Sequence, residues 1–266
     1  MKILRFTDNE GIVRLGTNPA DGMATEVIAA GDKGYEPTGQ LRAIHCFLAP
    51  VQPAAIICIG LNYREHAKET GLELPRYPVM FMKNPAAATG HGQPVVLPES
   101  CRKKAQTDYE AELAVIIGRP AKNVGPGDAL SYVKGYTIGN DISARSWQKH
   151  AGGGQWVRGK SFDTFCPLGP VMVTPDELPD PDSLGISCRV NGQTMQQSNT
   201  SDMIFAVSEL IAYLSEDTTL LPDTVILTGT PSGVGFTRKP PVFLSPGDRL
   251  ETEIDKIGTL INAIIE

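Results

Sequence analysis

The chain has 266 residues and a mass of 28.6 kDa, enough for a sizeable core in one large domain, or in one domain with a small appendage. With 41% hydrophobic and 20% charged residues, its composition is that of a soluble globular protein and excludes a disordered one. A net charge of -6 and a pI near 5.3 argue against nucleic acid or an anionic membrane as the main partner, so an anionic ligand needs a local cation.

Five cysteines, Cys46, Cys58, Cys101, Cys166 and Cys188, are odd in number and have no C-x-x-C spacing. They suit neither a zinc ribbon nor a secreted disulfide framework. The start, Met1-Lys2-Ile3-Leu4-Arg5-Phe6, has no apolar signal region, and no window approaches a membrane span. A reduced, cytoplasmic location is the expectation.

Residues 1–52 read as a small, turn-rich N-terminal β domain with short strands at Lys2–Phe6 and Gly11–Leu15. From residue 53 to 266 the character is that of a larger domain. Ala54–Gly60 is an apolar run closed by glycine, the pattern of a buried strand. Asn62–Glu69 carries a helix signature, with Asn62 as cap, Glu65 in capping-box position and Gly71 as stop. Strands are then expected at Val79–Met82, Glu110–Ile117, Gly135–Gly139, Gly169–Val173, Ser187–Val190, Thr224–Leu227 and Arg249–Ile254. Val190-Asn191-Gly192-Gln193 predicts a hairpin, because Asn-Gly suits a turn with positive φ. Ala144–Lys149 and Ile204–Leu214 read as helices. There is no internal repeat and no G-x-G-x-x-G after a strand, so the class is mixed α/β, rich in β, with a few short helices.

Asp108-Tyr109-Glu110-Ala111-Glu112-Leu113 carries the most chemistry. In a strand, Glu110 and Glu112 share a face. A lone E-x-E is compatible with a half-exposed strand and its polar face. The apolar run that follows points instead to a strand entering the core, where two carboxylates need a shared cation. Asp141, ending the apolar run Gly135–Gly139, offers the third carboxylate of a set that suits Mg²⁺, and without His or Cys nearby zinc is disfavoured.

His66 and Glu69 are three residues apart on one helix face. They fit either an ordinary surface helix or a carboxylate-oriented imidazole acting as general base. The other histidines, His45, His91 and His150, lack such a partner. Lys160 sits in a glycine-rich loop, where an ammonium is odd unless it faces a ligand. Leu227-Thr228-Gly229-Thr230-Pro231-Ser232-Gly233 has the look of a loop whose backbone approaches an anion, without phosphate-loop spacing.

Ile59-Gly60-Leu61-Asn62-Tyr63, Asp108–Leu113, Gly139-Asn140-Asp141-Ile142-Ser143-Ala144-Arg145, Gly159-Lys160-Ser161-Phe162-Asp163 and Leu227–Pro231 together resemble the fumarylacetoacetate hydrolase family, in order and spacing, over residues 54–266. Lys160–Pro170 and Arg238–Leu244 are similar to its domain-containing protein 2 subgroup. The resemblance implies a mixed β-roll catalytic domain after a small N-terminal domain, in a homodimer. It implies Mg²⁺ or Mn²⁺ on Glu110, Glu112 and Asp141, and a His66–Glu69 dyad on a mobile helix. It also implies Lys160, Gln148 and Thr230 against the substrate, with Arg145 nearby.

The expected activity is metal-dependent C–C hydrolysis of an acylpyruvate, a 2,4-diketo acid, through a stabilised enolate. Oxaloacetate decarboxylation or keto–enol tautomerisation at the same site is the alternative. A catalytically silent metal-carboxylate-binding scaffold is a third reading, which loss of a metal carboxylate, His66 or Lys160 would favour; all are present. The far end of the substrate is expected to be read by loops Ala86–Gln93 and Lys149–Gly154.

Overall fold

The computed structural model describes residues 1–31, 34–101, 106–151 and 153–266. Strands β1 (Lys2–Thr7), β2 (Val13–Ala20), β3 (Met23–Ala29) and β4 (Tyr35–Ala43) form a meander, followed by the short β5 (Cys46–Leu48). β6 (Ala55–Gly60) leads into helix α1 (Arg64–Thr70), and β7 (Val79–Lys83) returns beside β6. Two-residue strands β8 (Ala88–Thr89), β9 (Val95–Val96) and β10 (Thr107–Asp108) precede β11 (Ala111–Ile117), β12 (Val133–Asn140) and the two-residue β13 (Ser143–Ala144). A π-helical turn, Trp147–Ala151, and helix α2 (Trp156–Lys160) lead to β14 (Cys166–Val173). The chain closes with β15 (Gly185–Val190), β16 (Gln193–Asn199), α3 (Val207–Ser215), β17 (Thr224–Leu227), β18 (Arg249–Ile254) and β19 (Gly258–Ile265).

The main sheet runs β4-β3-β2-β1-β14-β12-β11-β17-β6-β7, with β5 on β1 and β8 on β14. A second sheet runs β16-β15-β18-β19-β9. The expected boundary near residue 52 falls between β5 and β6, and β1 pairs directly with β14 through Lys2 to Val173 and Ile3 to Met172. The fold is therefore mixed and β-rich, as expected. No helix among the described residues is long and apolar enough to cross a membrane.

Strand β11 lies at the centre of the main sheet and is buried on both faces. Leu113, Val115 and Ile117 enter the core that also holds Ile186, Leu250 and Ile254 of the second sheet. Ala114 and Ile116 enter another, with Ile56, Cys58, Leu168 and Val225. A half-exposed polar face is thus excluded for this strand. The Asn191-Gly192 turn has both residues at positive φ, 51° and 79°, and joins β15 to β16 as its sequence predicts.

Three local expectations are corrected. Helix α1 starts after Tyr63 with no side-chain cap, because the Asn62 amide is spent elsewhere. Asn62 Nδ2 donates to the carbonyls of Phe205 and Thr228, and its Oδ1 accepts from Phe205 N–H. Asp202 instead accepts the Glu65 N–H from a distant segment. Gly71 does end the helix, in the left-handed conformation. Ala144–Lys149 is no regular helix: Ala144 belongs to β13, and a π-helical turn follows at Trp147. Lys160 is not in a loop but closes the short helix α2.

Candidate active site

The site forms where β11 begins beside the end of β12. Antiparallel register sets Ala111 opposite Asn140 and Glu112 opposite Gly139. Glu110 N–H donates to Asn140 Oδ1 at 3.0 Å, and Asp141 N–H donates to Glu110 O at 2.8 Å. These bonds hold both strand ends, and the three carboxylates of Glu110, Glu112 and Asp141 converge. One oxygen from each lies within 4.8 Å of the others, and all three residues are buried. Strand pairing alone brings Asp141 to two glutamates some 30 positions earlier in the chain.

Buried carboxylates demand compensation. Lys160 Nζ donates to Glu110 Oε2 at 2.6 Å, Asp141 Oδ2 at 2.5 Å and Ser143 Oγ at 2.7 Å. Arg145 forks between Glu110 Oε1 (2.7 Å) and Asp108 Oδ2 (2.9 Å), and its Nη1 donates to Gln148 Oε1 at 3.0 Å. Lys83 reaches Asp141 Oδ1. Glu112 is left over. It accepts the Gly229 N–H at 2.7 Å and makes no ion pair among the described residues.

Four buried carboxylates, Asp108, Glu110, Glu112 and Asp141, thus face three buried cations, Lys83, Arg145 and Lys160. Burial raises the Glu112 carboxyl, and the charges of Asp141 and Glu110 push it further, well above the usual carboxylate range. Burial also acts on Glu110, but Arg145 and Lys160 override it and hold that carboxyl far below its ordinary value. An all-oxygen donor set with one uncompensated carboxylate fits a hard divalent cation, and no His or Cys belongs to the group.

The dyad is formed. His66 Nδ1 lies 2.8 Å from Glu69 Oε2 on α1. Glu69 Oε1 accepts from Gly233 N–H at 2.9 Å and Thr237 Oγ at 2.8 Å. Burial would raise the Glu69 carboxyl, but the bonds from His66, Gly233 and Thr237 outweigh it and hold the group below its ordinary value. Ionised Glu69 can only accept, so His66 carries a proton on Nδ1, and Nε2 is the ring nitrogen left to exchange a proton with a ligand. His66 lines the same cavity, about 320 Å³, as the three carboxylates.

Arg145, Gln148, Lys160 and Thr230 line that cavity as well, so every residue singled out for the site except Glu69 borders it, and Glu69 acts on it through His66. Its remaining wall is mostly apolar, from Leu61, Leu72, Phe81, Trp156 and Phe236, with Thr70 and Lys149 as polar members. Of the two loops expected at the far end, Lys149 lines the cavity, whereas no residue of Ala86–Gln93 does; Ala88 and Thr89 pair with β14, and the segment lies beside β5. Gly152 of the second loop lies outside the described residues.

The turn after β17 does bring its backbone to an acidic group, and that group is the protein's own Glu112 carboxyl. Gly229 has φ 101°, and an added Cβ would stand 2.6 Å from Asn62 Cβ. Gly229→Ala is therefore expected to destabilise the protein by about 2 kcal/mol, read as a lower urea midpoint. An unchanged midpoint would show that the turn yields freely.

Two further residues of the site carry fainter marks in the sequence. Asp108 shares strand parity with Glu110 and Glu112, a legible signal, and accepts from Arg145, Gly235 N–H and Phe236 N–H. Lys83 ends an apolar strand on the parity of the inward Phe81, a weaker sign.

Fold and site together define a β-rich protein with three buried carboxylates that could hold a cation and a His–Glu pair in one cleft. Residues 55–265 match the family described as fumarylacetoacetate (FAA) hydrolase C-terminal. The chain is 47% identical over 220 residues to oxaloacetate tautomerase FAHD2A, mitochondrial, of Homo sapiens, covering 82% of this chain and 69% of that protein. It is 48% identical over 219 residues to oxaloacetate tautomerase fahd2, mitochondrial, of Xenopus laevis, covering 82% and 68%. Among solved structures, the fumarylacetoacetate hydrolase of Exiguobacterium antarcticum superposes with a TM-score of 0.87 at 37% identity, covering 100% of this chain and 99% of that one. The 5-carboxymethyl-2-hydroxymuconate delta-isomerase of Mycobacterium smegmatis gives 0.84 at 36% identity, covering 100% and 99%. The chain belongs to the fumarylacetoacetate hydrolase family and is an enzyme of that family acting on a small molecule.

Proposed function

We propose that the protein interconverts the keto and enol forms of oxaloacetate or a close 2-oxo dicarboxylate, using Mg²⁺ (or Mn²⁺) held by Glu110, Glu112 and Asp141. The observation that carries this reading is His66 with Nδ1 tied to Glu69 and no partner on Nε2 among the described residues, in one cavity with the carboxylate triad and Lys160. Relatives named as oxaloacetate tautomerases, and a structural neighbour named as a hydroxymuconate isomerase, support proton relocation over bond cleavage.

In this reading His66 Nε2 removes a proton from C3 of the substrate, and the C–H electron pair moves into C2–C3 as the carbonyl becomes an enolate. A divalent cation held by Glu110, Glu112 and Asp141 would supply a Lewis-acid sink for the charge on the 2-oxo oxygen. Lys160 and Arg145, the cavity's buried cations, attract the substrate carboxylate by their charge and add to that stabilisation. His66 then returns the proton to the enolate oxygen, so no atom is gained or lost. Glu69 steadies the imidazolium between the two transfers.

The apolar wall of Leu61, Leu72, Phe81 and Trp156 favours a second reading, hydrolysis of an acylpyruvate with a hydrocarbon tail. There His66 takes a proton from water, the hydroxide adds to the 4-oxo carbon, and the C3–C4 bond breaks to give a carboxylate and enolpyruvate. A ¹H NMR time course with Mg²⁺ separates the two. Faster keto–enol exchange of oxaloacetate, with acetylpyruvate and a longer acylpyruvate intact, is the expected result. Pyruvate and a free fatty acid from the acylpyruvates would replace tautomerisation by hydrolysis. Pyruvate and CO₂ from oxaloacetate would make the protein a decarboxylase.

A further inference from the structure

The second ammonium on Asp141 stands apart from the first. Lys83 closes β7, the edge strand of the main sheet, where its neighbours Val79, Met80 and Met82 are exposed. An inward lysine on an edge strand can serve simply to discourage strand addition. This one does more than point inward, because it is only 1% exposed and ends on a charge. Its Nζ donates to Asp141 Oδ1 at 2.5 Å and to the Ile142 carbonyl at 3.1 Å. Asp141 therefore carries an ammonium on each oxygen, Lys83 on Oδ1 and Lys160 on Oδ2. Lys160 borders the cavity, where a ligand can share it. Lys83 lies sealed beneath.

We propose that Lys83 is a positioning and charge-setting residue of the carboxylate triad: it occupies Asp141 Oδ1 so that only Oδ2 faces the cavity, and its fixed positive charge weakens cation binding while strengthening anion binding. The inference rests on reading the triad as a cation site. Its physical basis is the sign of two interactions. A buried ammonium repels a divalent cation held by the carboxylate it touches, and attracts an anion beside that cation. Without Lys83, Asp141 keeps only Lys160, which Glu110 shares, and the buried negative charge rises by one. A divalent cation then becomes the main available compensation.

The test is calorimetric titration of the wild type, Lys83→Met and Lys83→Arg with Mn²⁺, followed by oxalate titration of the Mn²⁺-loaded proteins. Lys83→Met is expected to bind Mn²⁺ at least about tenfold more tightly and oxalate about tenfold more weakly. Its melting temperature should fall without the ion and recover more on adding it than in the wild type. Lys83→Arg, which keeps the charge, is expected to stay close to the wild type in both affinities. Folding of Lys83→Met only when Mn²⁺ is present is the extreme form of the same result. Unchanged or weaker Mn²⁺ binding by Lys83→Met, or unchanged oxalate binding, overturns the proposal. Failure to fold with or without the ion also overturns it, by reducing Lys83 to packing. A wild type that binds no Mn²⁺ is a separate outcome, and it removes the cation reading of the triad itself.

Discussion

Glu110→Ala is expected to abolish divalent-cation binding and catalysis together, giving a flat Mn²⁺ titration and a rate at least about a thousandfold lower, or roughly 4 kcal/mol of barrier. Glu110 is the carboxylate on which both Lys160 and Arg145 converge. Removing it leaves Asp108, Glu112 and Asp141 against Lys83, Arg145 and Lys160, a balance of three to three with no surplus charge to draw in a cation. The donor set also falls from three oxygens to two. Dialysis of the wild type against a chelator should reproduce the loss, and re-addition of Mg²⁺ or Mn²⁺ alone should reverse it. Full activity in the chelated protein would sink the metal-dependent mechanism.

The second large effect separates chemistry from binding. His66→Ala should leave the Mn²⁺ titration unchanged, because His66 touches Glu69 and not the triad. It should lower kcat about 10²- to 10⁴-fold, the usual worth of a positioned general base. KM should move little, since the substrate carboxylate is assigned to Lys160 and Arg145. If kcat stays within threefold, the proton is handled by another group and the dyad is structural. Glu69→Gln gives a graded version of the same test, because an amide cannot favour the charged imidazole as a carboxylate does.

Much of this site is legible in the amino-acid sequence itself. Glu110 and Glu112 share parity, Asp141 ends an apolar run, and His66 and Glu69 share a helix face. Each of these is a short-range pattern with a fixed period of 2.0 or 3.6 residues, which the backbone imposes wherever it folds regularly. The same holds for Asn191-Gly192, whose turn needs only local positive φ. The resemblance across residues 54–266 joins these fragments into one site.

Where local patterns mislead, partners far along the chain decide. Asn62 has the residue type of a helix cap, yet its amide serves Phe205 and Thr228, 143 and 166 positions away, and Asp202 takes part of the capping. Lys160 has loop-like flanks, yet three partners on Glu110, Asp141 and Ser143 fix it at the end of a helix. Lys83 gives little sign of itself, since its carboxylate lies 58 positions downstream.

Local periodicity therefore made the β-rich class readable and paired Glu110 with Glu112 and His66 with Glu69 as candidates, because side-chain alternation and helix faces are properties of the local backbone; only the family resemblance joined them with Asp141 into one site. Tertiary structure alone decided which cation answers which carboxylate, and that Glu112 is the one left without. It did so by laying β6, β17, β11 and β12 side by side, because charge compensation in a buried site depends on distances of a few ångströms between segments that the chain order keeps far apart.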